Sequence, residues 1–172
     1  MNNTTKQLVL TALFIAIGVV LPQAFHAIPN AGSIFLPMHI PVLISGFAVG
    51  PLFGACCGLL TPILSHLLFS MPPTPMLGQM ICELTVYGLA TGLFSKLLKI
   101  ENLTLKTYVV LILSMICGRL TYGVLNALIF KAGAYSMQAW ISAAFVTALP
   151  GIVIQLVLIP ILVIRLKKAN LI

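Results

Sequence analysis

Long apolar runs separated by short polar or proline-rich segments fill the chain from one end to the other. A membrane-spanning helix needs about 20 consecutive, mostly apolar residues. The apolar runs place helices at residues 7–25, 38–50, 51–70, 76–98, 105–131 and 137–166. The second run is too short to span a bilayer simply. The pattern predicts an all-α integral membrane protein with six transmembrane helices, forming a single membrane-embedded domain over residues 1–172.

The segments between the runs predict loops and one tight turn. Residues 26–37 are rich in Pro, Gly and Asn, and residues 71–75 contain three prolines, which cannot continue a helix. The second and third runs meet at Gly50-Pro51, which predicts a very short connection.

Composition supports a membrane location and argues against a nucleic-acid partner. The chain is 60% hydrophobic and 6% charged, whereas an ordinary soluble domain is about 25% charged. A soluble chain of this length has no core large enough to bury so much apolar surface, but a bilayer can accept it. The net charge of +7 comes from cations scattered at the ends of the apolar runs, without the basic stripe that nucleic acid requires.

The distribution of cations predicts the orientation. Lysine and arginine are enriched in cytoplasmic loops of membrane proteins. With the N-terminus inside, the inner segments hold Lys6, Lys96, Lys99, Lys106, Arg165, Lys167 and Lys168, and the outer segments hold Lys131. We therefore expect both termini in the cytoplasm, loops 26–37 and 71–75 outside, and a multi-pass protein of the plasma membrane.

Small residues recur at helical spacing in two places. Gly46, Gly50, Gly54 and Gly58 are four residues apart. This spacing lets helix backbones approach closely, so we interpret it as packing. Ala12 and Ala16 share one face of the first helix. They either pack within this protein or form a docking patch for another membrane protein.

Two charges lie inside predicted helices, where each costs about 2.5 kcal/mol or more at the bilayer centre. Glu83 is roughly 10 Å deep at about 1.5 Å per residue, and Arg119 is near the middle of its helix. They either pair with each other for structure or face a substrate cavity, and the two roles are compatible.

The neighbours of these charges favour a cavity that opens outward beneath the two loops. Residues three, four or seven apart share a helix face. One face of the fourth helix then carries Gln79, Glu83 and Tyr87, and one face of the fifth carries Arg119, Tyr122 and Asn126. The predicted substrate-binding residues are His39, Gln79, Glu83, Arg119, Tyr122, Asn126 and Gln155. Trp140 is either an interface anchor or a ring that stacks on a ligand.

Several chemistries lack their motifs. His26, His39 and His66 show no metal-binding spacing, so no metal site is predicted. There is no P-loop sequence for ATP, no aspartate, and no convincing Ser–His pair for hydrolysis. We expect no enzymatic activity and no cofactor in this chain.

Residues 35–46, with the sequence FLPMHIPVLISG, precede Gly50-Pro51 and the proline loop at residues 71–75. This arrangement resembles the substrate-binding S components of energy-coupling factor (ECF) vitamin transporters. The Ala12 and Ala16 pair resembles the Ala-x-x-x-Ala motif with which S components meet their transmembrane coupling subunit. The resemblance covers the chain in length, helix number and loop placement.

The resemblance implies a six-helix subunit that binds a vitamin near the outer face, under the two loops. It also implies docking on a coupling membrane protein and two ATPases, which use ATP and let the subunit release its substrate inside. Similar proteins are assigned to hydroxymethylpyrimidine, pyridoxine-like compounds, pantothenate, niacin or cobalamin. We favour hydroxymethylpyrimidine or pyridoxine, whose ring nitrogens and hydroxyls suit Gln79, Tyr122 and Asn126. Pantothenate and niacin stay open if Glu83 leaves Arg119 free.

Two other classes remain as alternatives. A self-sufficient secondary transporter, coupled to protons through Glu83, often carries an internal repeat, and none is evident between residues 1–86 and 87–172. An intramembrane hydrolase is the third hypothesis.

Overall fold

The computed structural model describes residues 3–25, 28–130, 132 and 135–172, and these residues are almost entirely helical. The helices are α1 (Asn3–Val20), α2 (Ala31–Phe35), α3 (His39–Val49), α4 (Pro51–Phe69), α5 (Thr74–Leu97), α6 (Leu103–Leu125), α7 (Met137–Ile141) and α8 (Leu149–Lys168). A 3-10 turn at Leu21–Phe25 extends α1, and π-helical turns at Asn126–Phe130 and Ser142–Thr147 follow α6 and α7. Six helical segments of the described chain are long and apolar enough to cross a membrane, which confirms the predicted all-α, six-span architecture. The second of these segments, Ala31–Val49, combines α2 and α3.

Helix α3 lies at the centre of the bundle. It has 11 residues, or about 16 Å at about 1.5 Å per residue, which is well short of the roughly 30 Å hydrocarbon core. It contacts α1, α4, α5 and α8, and almost all of its side chains are buried. Since its neighbours surround it, α3 does not need to span the bilayer by itself, and the short second apolar run fits this position.

The predicted loop at residues 26–37 is wrong in part, because it contains helix α2. Asn30 and Leu36, with φ angles of 59° and 51°, adopt the left-handed conformation and delimit this short helix. Gly151 lets α2 approach the start of α8, since a Cβ added there would lie 2.8 Å from the carbonyl oxygen of Ile34. The contact holds α2 across the end of the bundle at which α1, α4 and α6 finish, hereafter the loop end.

The predicted loop at residues 71–75 is likewise shorter than expected. Thr74 and Pro75 form the start of α5. A proline is tolerated in the first helical turn because the N–H that it lacks would be unpaired there.

The sixth predicted helix, residues 137–166, is divided. It consists of α7, the π-helical turn at Ser142–Thr147 and α8, with Ala148 in a turn between them. Pro150 lies in the first turn of α8, where its missing N–H breaks no helical hydrogen bond. Apolar periodicity alone did not mark this break, because the segments on both sides of it are hydrophobic.

The glycine spacing brings α4 and α5 into backbone contact. A Cβ added at Gly54 would lie 2.6 Å from the carbonyl oxygen of Gly88, and one at Gly46 would lie 2.7 Å from the same oxygen. A Cβ at Gly58 would overlap the carbonyl oxygen of Leu84. The interpretation of Gly46, Gly54 and Gly58 as packing residues is therefore confirmed, and their contacts fix α5 against the centre of the bundle. Gly50 differs, because a Cβ added there would meet only the Lys96 side chain at 3.4 Å, and its φ of 85° serves the turn between α3 and α4.

We predict that Gly54→Ala destabilises the protein by about 1–3 kcal/mol or more, because the methyl group meets backbone atoms that cannot rotate away. Gly32→Ala is the matched control, since a Cβ there meets nothing within 4 Å. Thermal unfolding of both variants in detergent measures the effect. Equal midpoints for Gly54→Ala and Gly32→Ala would contradict this packing.

Candidate functional site

Most buried hydroxyl groups of the spanning helices are satisfied by their own helix. In each case the side chain donates to a backbone carbonyl three or four residues earlier; this holds for Thr11, Ser45, Thr61, Thr91, Thr107 and Ser114. Such bonds are a common way for a helix in hydrocarbon to pair a hydroxyl. These residues therefore need no external partner and do not mark a site.

A cavity of about 520 Å³ lies at the loop end of the bundle, within the roughly 300–1,000 Å³ range of small-molecule sites. Its wall includes residues of the 31–39 segment, the 71–73 loop, and the adjoining parts of α5 and α6. Four methionines contribute to it: Met38, Met71, Met76 and Met80. The cavity lies over the N-terminal end of α3, where the shortness of that helix leaves space between its longer neighbours.

Glu83 is the centre of the polar part of this cavity. Its Oε1 accepts hydrogen bonds from Arg119 Nη1 at 3.1 Å and from the Tyr87 hydroxyl at 3.2 Å. His39 Nε2 lies 3.8 Å from the same oxygen. All four side chains are buried, and they join α3, α5 and α6. The predicted ion pair between Glu83 and Arg119 therefore exists, and both of its members also line the cavity.

Several buried polar atoms on the cavity wall have no hydrogen-bond partner. They are both ring nitrogens of His39, Oε1 of Gln79, and Nε and Nη2 of Arg119. Nε and Nη2 form one edge of the planar guanidinium and point their N–H bonds in parallel. A buried polar group without a partner is unfavourable by about 1–3 kcal/mol. The residues of the cavity wall thus include both donors and an acceptor that lack partners.

Tyr122 completes the part of the predicted site that reaches the cavity. It is half-buried on the cavity wall and shares a side-chain hydrogen bond with Tyr135. Burial raises the pKa of the Tyr135 phenol, although the bond to Tyr122 opposes this shift. The hydroxyl of Tyr135 therefore carries its proton at neutral pH and serves as the partner of the Tyr122 hydroxyl.

Asn126 and Gln155 are buried but do not line the cavity. Asn126 stands where α6 changes into a π-helical turn, and its Nδ2 donates to the carbonyl oxygen of Tyr122 at 2.8 Å. That bond turns the amide back along its own helix, so it does not follow the face shared by Arg119 and Tyr122. A role for Asn126 and Gln155 in binding stays a prediction.

Trp140 has a structural contact that neither of its predicted roles included. Its Nε1 donates to the carbonyl oxygen of Arg119 at 3.1 Å, and its ring packs against Gly123. The indole thus contacts the α6 backbone at Arg119, the residue whose guanidinium is buried beside Glu83.

Sequence reasoning missed the methionines of the cavity. Met76 and Met80 are four residues apart, one turn above Gln79 and Glu83 on α5. The same helical spacing that grouped Gln79 with Glu83 would have included them. Met38 directly precedes His39 and carried no comparable signal.

Ala12 and Ala16 lie exposed on α1, whereas Thr11, Phe14 and Gly18 on the opposite side are buried. Gly18 makes the internal contact of this helix, since a Cβ added there would lie 2.6 Å from the Thr61 side chain. The alternative in which the two alanines pack within this chain therefore does not hold, and their face is open to a partner or to lipid.

The histidines do not converge. His39 faces Glu83, and His66 Nδ1 lies 2.7 Å from the carbonyl oxygen of Pro72, a contact that joins the end of α4 to the 71–73 loop. His26 lies outside the described residues, as does Lys131. In the part of the chain that the structure describes, no three His, Cys, Asp or Glu residues come together as metal ligands.

Comparison with known proteins gives one match. The family model described as "ECF transporter, substrate-specific component" matches residues 6–163, which is nearly the whole chain. No curated protein and no solved structure matches significantly.

The buried pair predicts coupled effects on stability. Glu83→Gln and Arg119→Met should each destabilise the protein by about 3–5 kcal/mol, because each variant leaves the charge of the other residue buried and uncompensated. The double variant should recover much of this loss. Thermal unfolding of the single and double variants measures it, with Glu101→Gln as an exposed control for removal of an acid. Strictly additive losses would show that the two side chains do not stabilise each other.

Proposed function

The chain belongs to the family of substrate-specific components of ECF transporters, and from this premise we propose that it captures a small, water-soluble vitamin or vitamin precursor. The observation that carries the proposal is the cavity of about 520 Å³ whose wall holds unpartnered atoms of His39, Gln79 and Arg119. A bound ligand supplies the hydrogen bonds that these buried atoms lack. A mostly apolar cavity with a few polar groups that fix orientation is the usual form of a small-molecule site.

We propose a ring-containing ligand of the hydroxymethylpyrimidine or pyridoxine type. The methionine thioethers of the cavity make favourable contacts with aromatic rings, and Phe25 and Tyr122 add aromatic surface to the wall. Ring nitrogens and hydroxyl groups match the unpartnered donors of Arg119 and the unpartnered acceptor of Gln79.

The proposed orientation puts the cavity outside the cell. The six spans alternate in direction, so the segments that hold Lys6, Lys96, Lys99, Lys106, Arg165, Lys167 and Lys168 lie at the end of the bundle opposite the cavity. The positive-inside rule places that basic end in the cytoplasm and opens the cavity outward from the plasma membrane. Cleavage of a protease site at either terminus from outside intact cells would contradict this orientation.

Membership in the family implies association with the membrane and ATPase subunits of an ECF transporter. We propose that the exposed face at Ala12 and Ala16 meets the transmembrane coupling subunit, and that two ATPases supply the energy. A flat patch of small residues allows a partner helix to approach closely in a bilayer. A proton-coupled carrier is less well supported, because the Glu83 carboxylate that it would use is engaged by Arg119 and Tyr87.

The cavity proposal predicts that Gln79→Ala weakens ligand binding by about 5- to 150-fold, the equivalent of one buried hydrogen bond. Calorimetry or displacement with hydroxymethylpyrimidine and pyridoxine measures the change. Gln138→Ala, the same substitution at an exposed glutamine away from the cavity, is the matched control. If Gln79→Ala folds and binds as tightly as the parent, the pocket lies elsewhere. If Asn126→Ala weakens binding equally, the ligand reaches beyond this cavity.

The docking proposal predicts a separation of binding from transport. Replacing Ala12 and Ala16 together with leucine should leave ligand binding within about twofold of the parent but abolish uptake in cells, since the added bulk keeps a partner helix away. Ala127→Leu adds the same bulk to an exposed position on another span and serves as the control. Equal loss of binding and uptake would mean that the two positions support the fold of this chain.

A further inference from the structure

The described residues on the cavity wall include one carboxyl side chain and one guanidinium side chain. These are Glu83 and Arg119, and every other described wall residue except His39 is uncharged. The two charges are in contact, with Arg119 Nη1 3.1 Å from Glu83 Oε1. The positive charge of Arg119 is therefore compensated before any ligand arrives, while its Nε and Nη2 have no hydrogen-bond partner.

On the basis of the function proposed above, we infer that Glu83 makes the site select an uncharged ligand over an anionic one. Arg119 then acts as a two-pronged hydrogen-bond donor through Nε and Nη2 and does not act as a counter-ion. This distinguishes two classes of compound that fit the same volume: neutral heterocycles and amides on one side, and carboxylates and phosphates on the other.

The reason is electrostatic. A ligand carboxylate on the open edge of Arg119 would share one guanidinium with Glu83, so that two negative charges would depend on a single positive charge. Glu83 and Arg119 are each under a tenth exposed, and an uncompensated charge in such a place is strongly unfavourable. A neutral acceptor, such as a ring nitrogen next to a hydroxyl or an amide carbonyl, satisfies the same N–H groups without adding charge.

Gln79 offers the ligand an acceptor in addition to the donors of Arg119. Its Oε1 is a buried acceptor without a partner on the cavity wall, so it requires a hydroxyl or amine donor. The ligand class that satisfies both groups is an uncharged, ring-containing compound that carries acceptors for Arg119 and a donor for Gln79.

The test compares pairs of compounds that differ mainly in one ionised group. The detergent-solubilised parent is titrated with nicotinamide and nicotinate, with pantothenol and pantothenate, and with pyridoxine and 4-pyridoxate. Within each pair that shows binding, we expect the neutral compound to bind at least about tenfold more tightly than the anionic one. Bringing like charges together in a desolvated site is unfavourable. Tighter binding of the anionic member would overturn the inference.

Two variants identify the residue responsible. Glu83→Gln removes the compensating charge and should shift the ratio by about tenfold or more towards the anionic member. Glu101→Gln removes the chain's other acid at an exposed position and should leave the ratio unchanged. His39→Gln removes the imidazole while Glu83 stays in place, and a preference for the neutral member that disappears in this variant would contradict the assignment to Glu83.

The outcomes separate this inference from the proposed function. Binding with the opposite charge preference contradicts the role of Glu83 and leaves vitamin capture intact. If the parent binds neither hydroxymethylpyrimidine nor any member of the three pairs, both the proposed vitamin capture and this inference are contradicted. If Glu83→Gln does not fold, the charge preference of the parent still tests whether the site selects a neutral ligand over an anionic one.

Discussion

A polar group buried in a bilayer has no water to pair with, so it must find its partner in the protein or in a ligand. This constraint organises the whole chain. The hydroxyl groups of the spans bond to their own helices, and the glycines of α4 and α5 let backbones touch without side chains between them. Among the described residues, the polar atoms that remain unpaired gather chiefly around one cavity. Their position is the physical reason to place the ligand there.

The Glu83–Arg119 pair serves structure and binding at once. It ties α5 to α6 across the bundle, and His39 adds α3 to the same cluster. An isolated charge at this depth would be strongly unfavourable, so each member requires the other. The bond between them uses Nη1 of Arg119 and leaves Nε and Nη2 without a partner. If Glu83 bonded to both Nε and Nη2, these atoms would already have a partner and could not bind a ligand.

The short central helix makes the cavity possible. Because α3 has 11 residues while its neighbours α4 and α5 have 19 and 24, the bundle has a core at the basic end and a hollow at the loop end. Helix α2 lines this hollow and contacts α8 at Gly151. Contacts between the Pro72 carbonyl and His66 hold the second loop beside it. The cavity is therefore bounded by segments that sequence analysis had identified as loops.

The sequence by itself determined the features that depend on local chemistry. Apolar run length predicted six spans, glycine spacing predicted close packing, and the depth of Glu83 and Arg119 predicted a buried pair, because each follows from a rule that acts along one helix. Helical periodicity also grouped Gln79 with Glu83. Only the tertiary structure decided the rest. It turned Asn126 back onto α6, kept Gln155 away from the cavity, left Ala12 and Ala16 exposed, and brought Trp140 against the backbone of Arg119. These outcomes depend on which helices are neighbours and on where π-helical turns change the direction in which a side chain points. Neither can be predicted from the spacing of residues along a single helix.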